Sequence, residues 1–334
     1  MKAESTGNGP TVDDCVRGIG ESDRGLLARA ITLIESRKPE DMALAQELLA
    51  RLLPQTGGAV RVGITGVPGV GKSTFIDALG TRLIEQGHRV AVLAVDPSSS
   101  ISGGSILGDK SRMPRLASAE EAFIRPSPSA LSLGGVTRRT RETMLLCEAA
   151  GFDVILVETV GVGQSETMVA DMVDCFLVLV LAGAGDELQG IKKGIIELAD
   201  LVAVNKADGD NLERAQLAKR DYAAALRYLG ARPSSWEPRV VTVSALTGAG
   251  LDELWQLVEE HHRLLADSGE LEERRRRQLG RWMWSLIEEK LLDSFRDHPE
   301  VTKRLAELER AVAEGTVTPT RAATELLTAF QSAR

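Results

Sequence analysis

Short apolar runs alternate with helical segments over most of the chain after Gly57 and Gly58. The runs cover residues 60–65, 89–95, 154–157, 176–181, 201–204 and 240–243. Strands that alternate with helices are typical of a mostly parallel sheet with helices on both faces. The pattern therefore predicts an α/β fold.

Both flanks of this region have apolar residues at helical spacing. Residues 22–53 predict two helices joined near Lys38 and Pro39, and the chain from about Glu270 onward is predicted to be wholly helical. We expect a disordered lead at 1–20, a helical extension at 21–57, the sheet domain at 58–265 and a helical arm at 266–334. The arm's apolar stripe around Trp282 and Trp284 favours burial against a partner subunit, with packing on the sheet domain as the alternative.

Composition narrows the possible partners and location. The formal net charge of −8 provides no bulk attraction to nucleic acid or to an anionic membrane, so neither is expected as a partner. The N-terminus lacks a signal-peptide pattern and no apolar run approaches the roughly 20 residues that span a bilayer. The cysteines Cys15, Cys147 and Cys175 are too few for a disulfide framework and show no metal-ligand spacing, which favours the cytoplasm.

A run of arginines within EERRRR, residues 272–277, is the strongest local concentration of positive charge. Glu272 with Arg276 and Glu273 with Arg277 have the spacing of helix salt pairs. A solvated helix face is therefore expected here in preference to a nucleic-acid patch.

The most specific motif of the chain is GVPGVGKS, which follows a predicted strand and opens a helix. Its glycines let backbone N–H groups point at phosphate, Lys72 would reach the β- and γ-phosphates, and the Ser73 hydroxyl would ligate Mg²⁺. A glycine-rich turn is the alternative, whereas a dinucleotide fold is rejected because its GxGxxG spacing is absent. The motif predicts a P-loop NTPase. Its expected nucleotide-binding residues are Gly66, Val67, Pro68, Gly69, Val70, Gly71, Lys72, Ser73 and Thr74.

The stretch NKAD follows a later strand and predicts a guanine-binding box. Ionised Asp208 can accept hydrogen bonds from the two adjacent donors of guanine, a pair that adenine does not offer. Lys206 can lay its methylene stem over the base, and Asn205 can join neighbouring loops by hydrogen bonds. Backbone N–H groups of SAL, which comprises Ser244, Ala245 and Leu246, could meet guanine O6. This order of motifs favours GTP and GDP as the bound nucleotides.

Three carboxylates are candidates for sensing the γ-phosphate and its metal. Asp96 and Asp109 lie in a long segment after the second strand, where movement on nucleotide exchange is expected, and a solvated loop is the alternative. Glu158 and Gly161 occupy the DxxG position of GTPases, with glutamate in place of aspartate. Gln164 stands too far from Gly161 to match the water-orienting glutamine of small GTPases. Lys72, Asp96 and Glu158 are the catalytic candidates, and Ser73, Asp96, Asp109 and Glu158 the metal candidates.

Six motifs together resemble the MeaB/ArgK family of G proteins: GVPGVGKST, VDPSS, GGSILGDKSRM, ETVGVGQSE, GDELQGIKKG and NKAD. The resemblance covers nearly the whole chain from about Ser22. It implies a homodimeric GTPase that chaperones adenosylcobalamin-dependent methylmalonyl-CoA mutase, gating cofactor loading and protecting the mutase. It also assigns the loop at 185–193 to an additional switch, in which Gln189 and Lys192 would change contacts with nucleotide state. The family's older label, a kinase or ATPase of arginine and ornithine (LAO/AO) transport, is the alternative.

Overall fold

A seven-stranded sheet lies at the centre of the computed structural model, which describes residues 11–36, 38–95, 112–126, 133–159, 165–183, 193–228 and 234–331. Its strands are β1 (Val60–Gly66), β2 (Val90–Val95), β3 (Ala122–Arg125), β4 (Val154–Thr159), β5 (Cys175–Leu181), β6 (Leu201–Asn205) and β7 (Arg239–Thr242). All neighbouring strands pair in parallel, in the order β3-β2-β4-β1-β5-β6-β7. The predicted α/β fold with a parallel sheet is therefore confirmed, and β3 is an additional strand.

Helices connect the strands and extend both ends of the described chain. They are α1 (Val12–Gly20), α2 (Arg24–Glu35), α3 (Pro39–Leu52), α4 (Lys72–Glu85), α5 (Pro114–Ser118), α6 (Leu133–Ala149), α7 (Ser165–Ala170), α8 (Lys193–Leu198), α9 (Leu212–Tyr228), α10 (Leu251–Asp267), α11 (Glu270–Arg296), α12 (Pro299–Ala313) and α13 (Pro319–Gln331). Short 3₁₀ turns cover Leu53–Gln55 and Gly209–Asn211. Among the described residues, no helix combines the length and apolar content needed to cross a bilayer.

Both faces of the sheet are buried, as expected for strands with near-continuous apolar runs. On one face, residues such as Val157 and Val178 belong to the same apolar cluster as residues of α1, α2, α3 and α6. On the other face, Leu156 and Leu177 share a cluster with residues of α4 and α10. Burial of each such side chain contributes about 1.5–3 kcal/mol relative to exposure, so the sheet is a rigid platform for the loops at its edge.

The carboxyl ends of the parallel strands bring the motif-bearing loops to one edge of the sheet. Strand β1 lies between β4 and β5, and Ile64 of β1 is in register with Glu158 of β4. The phosphate loop that follows β1 is thus adjacent to Glu158. Asn205 ends β6, and Ser244 closely follows β7 on the same edge. Open α/β sheets bind ligands at this position.

The expected disordered lead at residues 1–20 is wrong for its described part, because Val12–Gly20 forms helix α1. Thr11 and Asp14 form a reciprocal capping box in which each side chain accepts from the other's backbone N–H. Cys15 and Ile19 are buried in the cluster that also contains residues of α2 and α3. The segment has too few apolar residues to fold alone, but the neighbouring helices provide a surface for its single apolar face.

The chain divides into two compact units, residues 1–278 and 279–334, rather than at the predicted boundary of 266. Charged contacts explain the shift. Arg274 pairs with Asp200 at 3.1 Å and Arg275 pairs with Asp174 at 2.6 Å, so the first turns of α11 belong to the sheet unit. The expectation of a wholly solvated arginine face is therefore wrong for these two residues.

The other two arginines of the run behave as predicted. Arg276 pairs with Glu272 at 2.9 Å, and Arg277 approaches Glu273 at 3.6 Å, with both arginine side chains more than 60% exposed. Pairs of this kind contribute little to stability because water screens them.

The second unit has a small core of its own. Val301 of α12 and Ala322, Leu326 and Ala329 of α13 are buried. The ring of Phe295 contacts that of Phe330 edge to face, with 5.5 Å between centroids. Several large apolar side chains of α11 are nevertheless exposed: Leu279, Met283, Trp284, Ile287, Leu291 and Leu292.

Candidate functional site

The phosphate loop connects β1 to α4 with positive φ angles at Gly66, Gly69 and Gly71. Gly66 has a φ of 154°, and a Cβ there would lie 2.5 Å from the carbonyl oxygen of Leu179. Gly71 has a φ of 94° and precedes α4 directly. A side chain at either position would be strained, so these glycines allow the loop to curl around the N-terminus of α4. Such an N-terminus attracts anions through its free N–H groups and its dipole.

Lys72 folds back onto the loop that precedes it. Its Nζ donates to the carbonyl oxygen of Gly66 at 2.8 Å and to that of Val67 at 3.4 Å. The side chain is buried, which lowers the pKa of the ammonium group, while the carboxylates of Glu158 and Glu166 act in the opposite direction. The ammonium is therefore held at the loop by weak carbonyl partners that a phosphate group could replace.

Ser73 and Glu158 bring two hard oxygen ligands together at the start of α4. The Ser73 hydroxyl donates to Glu158 Oε1 at 3.2 Å. Beneath them, the buried hydroxyl groups of Thr159 and Thr65 are hydrogen-bonded at 2.8 Å and join the ends of β4 and β1. Hydroxyl and carboxylate oxygens are the donors that Mg²⁺ prefers, so this pair fits a magnesium ion next to the phosphate loop.

Asn205 joins the phosphate loop to the loop after β7. The side chain is 1% exposed, and its Nδ2 donates to the carbonyl oxygen of Val70 at 2.9 Å. Its Oδ1 accepts from the backbone N–H of Ala245 at 3.4 Å. The sequence predicts that this amide joins neighbouring loops, and it does so here. One side chain thus fixes the spacing between the expected phosphate and base ends of the site.

The remaining residues of the NKAD and SAL stretches lie around Asn205. Lys206 has a left-handed backbone with a φ of 59°, and its Nζ donates to the carbonyl oxygen of Gly69 at 3.0 Å. Asp208 accepts a hydrogen bond from the Ser244 hydroxyl. Leu246 is 82% exposed. The structure therefore collects the motif residues 66–74, 205–208 and 244–246 at one edge of the sheet.

Five of the predicted site residues lie outside the described part of the chain: Asp96, Asp109, Gly161, Gln189 and Lys192. Gln164 also lies outside it. Their roles stay predictions.

The family model described as "Methylmalonyl Co-A mutase-associated GTPase MeaB" matches residues 27–300, which include all of these motifs. The chain belongs to the MeaB family. It is therefore a GTPase that binds guanine nucleotide, as predicted from the order of its motifs.

Proteins related to this MeaB-family chain agree with that assignment. It is 58% identical over 317 residues to a Mycobacterium tuberculosis protein named a probable GTPase, covering 95% of this chain and 94% of the relative. The Escherichia coli GTPase ArgK is 49% identical over 312 residues, with 93% and 94% covered. The mouse mitochondrial methylmalonic aciduria type A homolog is 48% identical over 334 residues, with 96% and 80% covered.

The solved structure described as an LAO/AO transport system kinase has the same fold. It superposes with a TM-score of 0.77 at 42% identity and covers 98% of this chain and 100% of its own. The MeaB-family fold and the P-loop architecture predicted from the sequence thus have a direct structural counterpart.

Glu166 is a feature of this MeaB-family site that the motif reasoning missed. It lies in α7, is 2% exposed, and its carboxylate raises the pKa of the Lys72 ammonium. Its burial and its electrostatic effect on Lys72 make Glu166 a further candidate residue of the site. The quoted stretch ETVGVGQSE ends on this residue, so the signal was present in the sequence but carried no assigned role.

Proposed function

We propose that this GTPase is a magnesium-dependent switch that gates adenosylcobalamin loading and protects a methylmalonyl-CoA mutase. The observation that carries the proposal is the Asn205 bridge, because it couples the loop expected to hold phosphate to the loop expected to read the base. A nucleotide bound across both loops would contact the phosphate loop and the base-reading loop at once. Because Asn205 joins the two loops, a change at one would affect the other. GTP and GDP can then favour different conformations of the same edge of the sheet.

Ser73 and Glu158 would hold the magnesium ion, with Asp96 and Asp109 as further proposed ligands. When bound, the ion neutralises charge on the departing γ-phosphoryl group. Lys72 would contact the β- and γ-phosphates once it exchanges its carbonyl partners for phosphate oxygens. The guanine base would be recognised by Asp208, and Gln189 and Lys192 would relay nucleotide state to the mutase.

The mutase as partner is supported by the family description, which names an association with methylmalonyl-CoA mutase. The mouse relative, named for methylmalonic aciduria, supports the same metabolic context. The transport-kinase function named for the solved structure is the competing candidate. It requires ATP and phosphate transfer to a protein, and Asp208 argues against ATP because adenine lacks the donor pair of guanine.

Replacing Glu158 with alanine is expected to preserve GDP binding while GTP turnover and its magnesium dependence fall. The carboxylate contacts the Ser73 hydroxyl, and its loss removes one proposed ligand of the metal. Loss of one group that stabilises transition-state charge costs about 10²-fold or more in turnover. The measurement is GTP hydrolysis against Mg²⁺ concentration, with and without an adenosylcobalamin-dependent methylmalonyl-CoA mutase.

In this assay the mutase should stimulate wild-type turnover, because related GTPases are slow until a partner completes the site. Glu213→Ala, which removes an exposed carboxylate of α9, is the matched control and should behave as wild type. Failure of the mutase to bind or to alter turnover would contradict the proposed partner. ATP hydrolysis equal to GTP hydrolysis, with phosphate transfer to a protein, would favour the transport kinase instead.

We further propose that the chain acts as a homodimer through the exposed apolar face of α11. Trp284 is 61% exposed and Leu291 is 57% exposed within the second unit. Contiguous apolar surface of this kind is costly in water and is typical of interfaces.

Trp284→Glu is expected to convert the dimer to a monomer, because it places a charge within the proposed interface. Sedimentation equilibrium of the wild type and the variant measures this change. Leu217→Glu is the control, since Leu217 is 60% exposed on α9 outside the second unit. A wild-type protein that sediments as a monomer at micromolar concentration would exclude the interface.

A further inference from the structure

Three side chains with metal-binding atoms meet at the edge of the sheet opposite the nucleotide site. Cys175 begins β5, Asp200 directly precedes β6, and His261 lies in α10. One thiol sulfur, one carboxylate oxygen and one ring nitrogen all lie within 4.8 Å of one another, and all three residues are buried. They are 25 and 61 residues apart in sequence, so cysteine spacing alone does not reveal them. Neither the GTPase activity nor the proposed switch function uses any of them.

The imidazole of His261 is the unexplained member of this group. It is 0% exposed, and among the described residues neither Nδ1 nor Nε2 has a hydrogen-bond partner. Nε2 lies 3.7 Å from Asp200 Oδ1, which is too long for a hydrogen bond. The ring otherwise contacts Trp236 edge to face at 5.1 Å between centroids. Buried polar atoms without partners are rare in folded proteins and call for a ligand or another explanation.

Asp200 is held in a fixed orientation by hydrogen bonds to both of its carboxylate oxygens. Its Oδ2 accepts from the backbone N–H of Phe176 at 2.9 Å and from Arg274 at 3.1 Å. Its Oδ1 accepts from Arg274 at 3.3 Å and also faces His261. Outer contacts that orient a ligating carboxylate are a regular feature of metal sites.

The donor set selects the kind of ion. Thiolate sulfur, imidazole nitrogen and carboxylate oxygen together suit zinc and similar divalent transition metals, whereas Mg²⁺ and Ca²⁺ prefer oxygen alone. We propose that Cys175, Asp200 and His261 bind one divalent transition-metal ion of the zinc class, which fastens α10 to the starts of β5 and β6. A water molecule would supply the fourth ligand of a tetrahedral site.

Binding requires one proton to leave. A free cysteine is a neutral thiol near neutral pH, and Cys175 is free and buried in this structure. The ion displaces the thiol proton to solvent as the sulfur–metal bond forms, and His261 contributes a neutral lone pair. Thiolate, carboxylate and the Arg274 guanidinium sum to −1, so a divalent ion leaves a net charge of +1 in the cluster. Arg274 therefore limits affinity but does not prevent binding, because two anionic ligands contact the ion.

Cobalt substitution tests the site with the full-length chain. After metal is removed by a chelator, one equivalent of Co²⁺ should produce thiolate-to-cobalt charge-transfer absorption and the visible bands of tetrahedral cobalt. Added Zn²⁺ should displace the cobalt and abolish both the charge-transfer absorption and the visible bands. Elemental analysis should then give one zinc ion per chain, and the Tm should rise. Cys175→Ser should remove the charge-transfer band. Cys147→Ser is the matched control, because Cys147 is equally buried but lies in the cluster on the other face of the sheet.

The test remains decisive even if Cys175→Ser does not fold. A charge-transfer band needs a cysteine, and the chain has only three. A band that persists in the double variant Cys15→Ser, Cys147→Ser therefore assigns the ligand to Cys175. The absence of a band and of zinc at one equivalent, or loss of the band in the double variant, would overturn the proposal. GTP hydrolysis by the metal-free protein with added Mg²⁺ reports on the nucleotide site separately, so the two proposals can fail independently.

Discussion

Replacing Lys72 with alanine is expected to reduce GTP turnover by about 10²- to 10³-fold. Lys72 brings a buried ammonium group to the loop between β1 and α4, where it donates to the carbonyl oxygens of Gly66 and Val67. A phosphate oxygen is a much stronger partner, because hydrogen bonds between charged groups are roughly twice as strong as neutral ones. Removing one such donor from developing charge costs about 2.7–4 kcal/mol of transition-state stabilisation.

The fold should tolerate this change far better than catalysis does. The lost contacts are two hydrogen bonds to carbonyl groups, each with a net contribution of about 0.5–1.5 kcal/mol. Removal of a buried charge offsets part of that loss. Steady-state GTP hydrolysis and thermal unfolding, measured on the same preparations, separate the two effects. Lys219→Ala on α9 is the control and should alter neither, whereas normal turnover of Lys72→Ala would remove this lysine from the site.

The apolar and polar pattern of the sequence predicted those strands and helices whose formation depends mainly on their own residues. Apolar runs located six strands, because parallel strands buried on both faces are nearly continuous in apolar residues. Strand β3 was not predicted, since its four residues, AFIR, are too short a run to distinguish a strand from a helix segment. Helix α1 was missed for a different reason. Its stability depends on the surfaces of α2 and α3, which sequence periodicity in α1 does not reveal.

Long-range charge pairing was the main feature beyond the reach of the sequence. The spacing of Glu272 and Glu273 from Arg276 and Arg277 predicted the exposed pairs of α11 correctly. Arg274 instead pairs with Asp200, which is 74 residues away in sequence, and Arg275 pairs with Asp174, which is 101 residues away. No local rule connects residues so far apart, because only the tertiary fold brings the first turns of α11 to the starts of β5 and β6.

In the candidate site, too, some features were predictable from local sequence and others depend on the tertiary fold. The motifs predicted which of the described residues gather at the carboxyl edge of the sheet, because parallel strands all end on that edge. The hydrogen-bond and charge partners of those residues depend on side-chain geometry. The hydrogen bonds from Lys72 to the loop carbonyls and the electrostatic effect of Glu166 on Lys72 depend on the tertiary fold, for which the sequence carries no spacing rule.

Asp208→Asn is expected to exchange guanine preference for xanthine preference. The ionised carboxylate would accept from both N1–H and the exocyclic amine of guanine, and charge-assisted bonds of this kind contribute about 1.5–3 kcal/mol each. An amide retains one acceptor oxygen but places an NH₂ group opposite the guanine amine, where two donors repel. GTP affinity should therefore fall by at least about 10²-fold. Xanthosine triphosphate carries a carbonyl at that position, so it should bind the variant better than it binds the wild type.

The structure also provides a close control for this substitution. Asp210 lies two residues away in the Gly209–Asn211 turn and is exposed, so Asp210→Asn makes the same chemical change outside the proposed contact. In the wild type, Asp208 accepts from the Ser244 hydroxyl, and an asparagine oxygen can keep that bond. Loss of GTP affinity in Asp208→Asn would thus report on the base rather than on the loop. Competition binding with GTP, ATP and xanthosine triphosphate measures the preference directly. Equal GTP affinity in both variants would place guanine recognition elsewhere, since Asp208 would then contribute no more than its exposed neighbour.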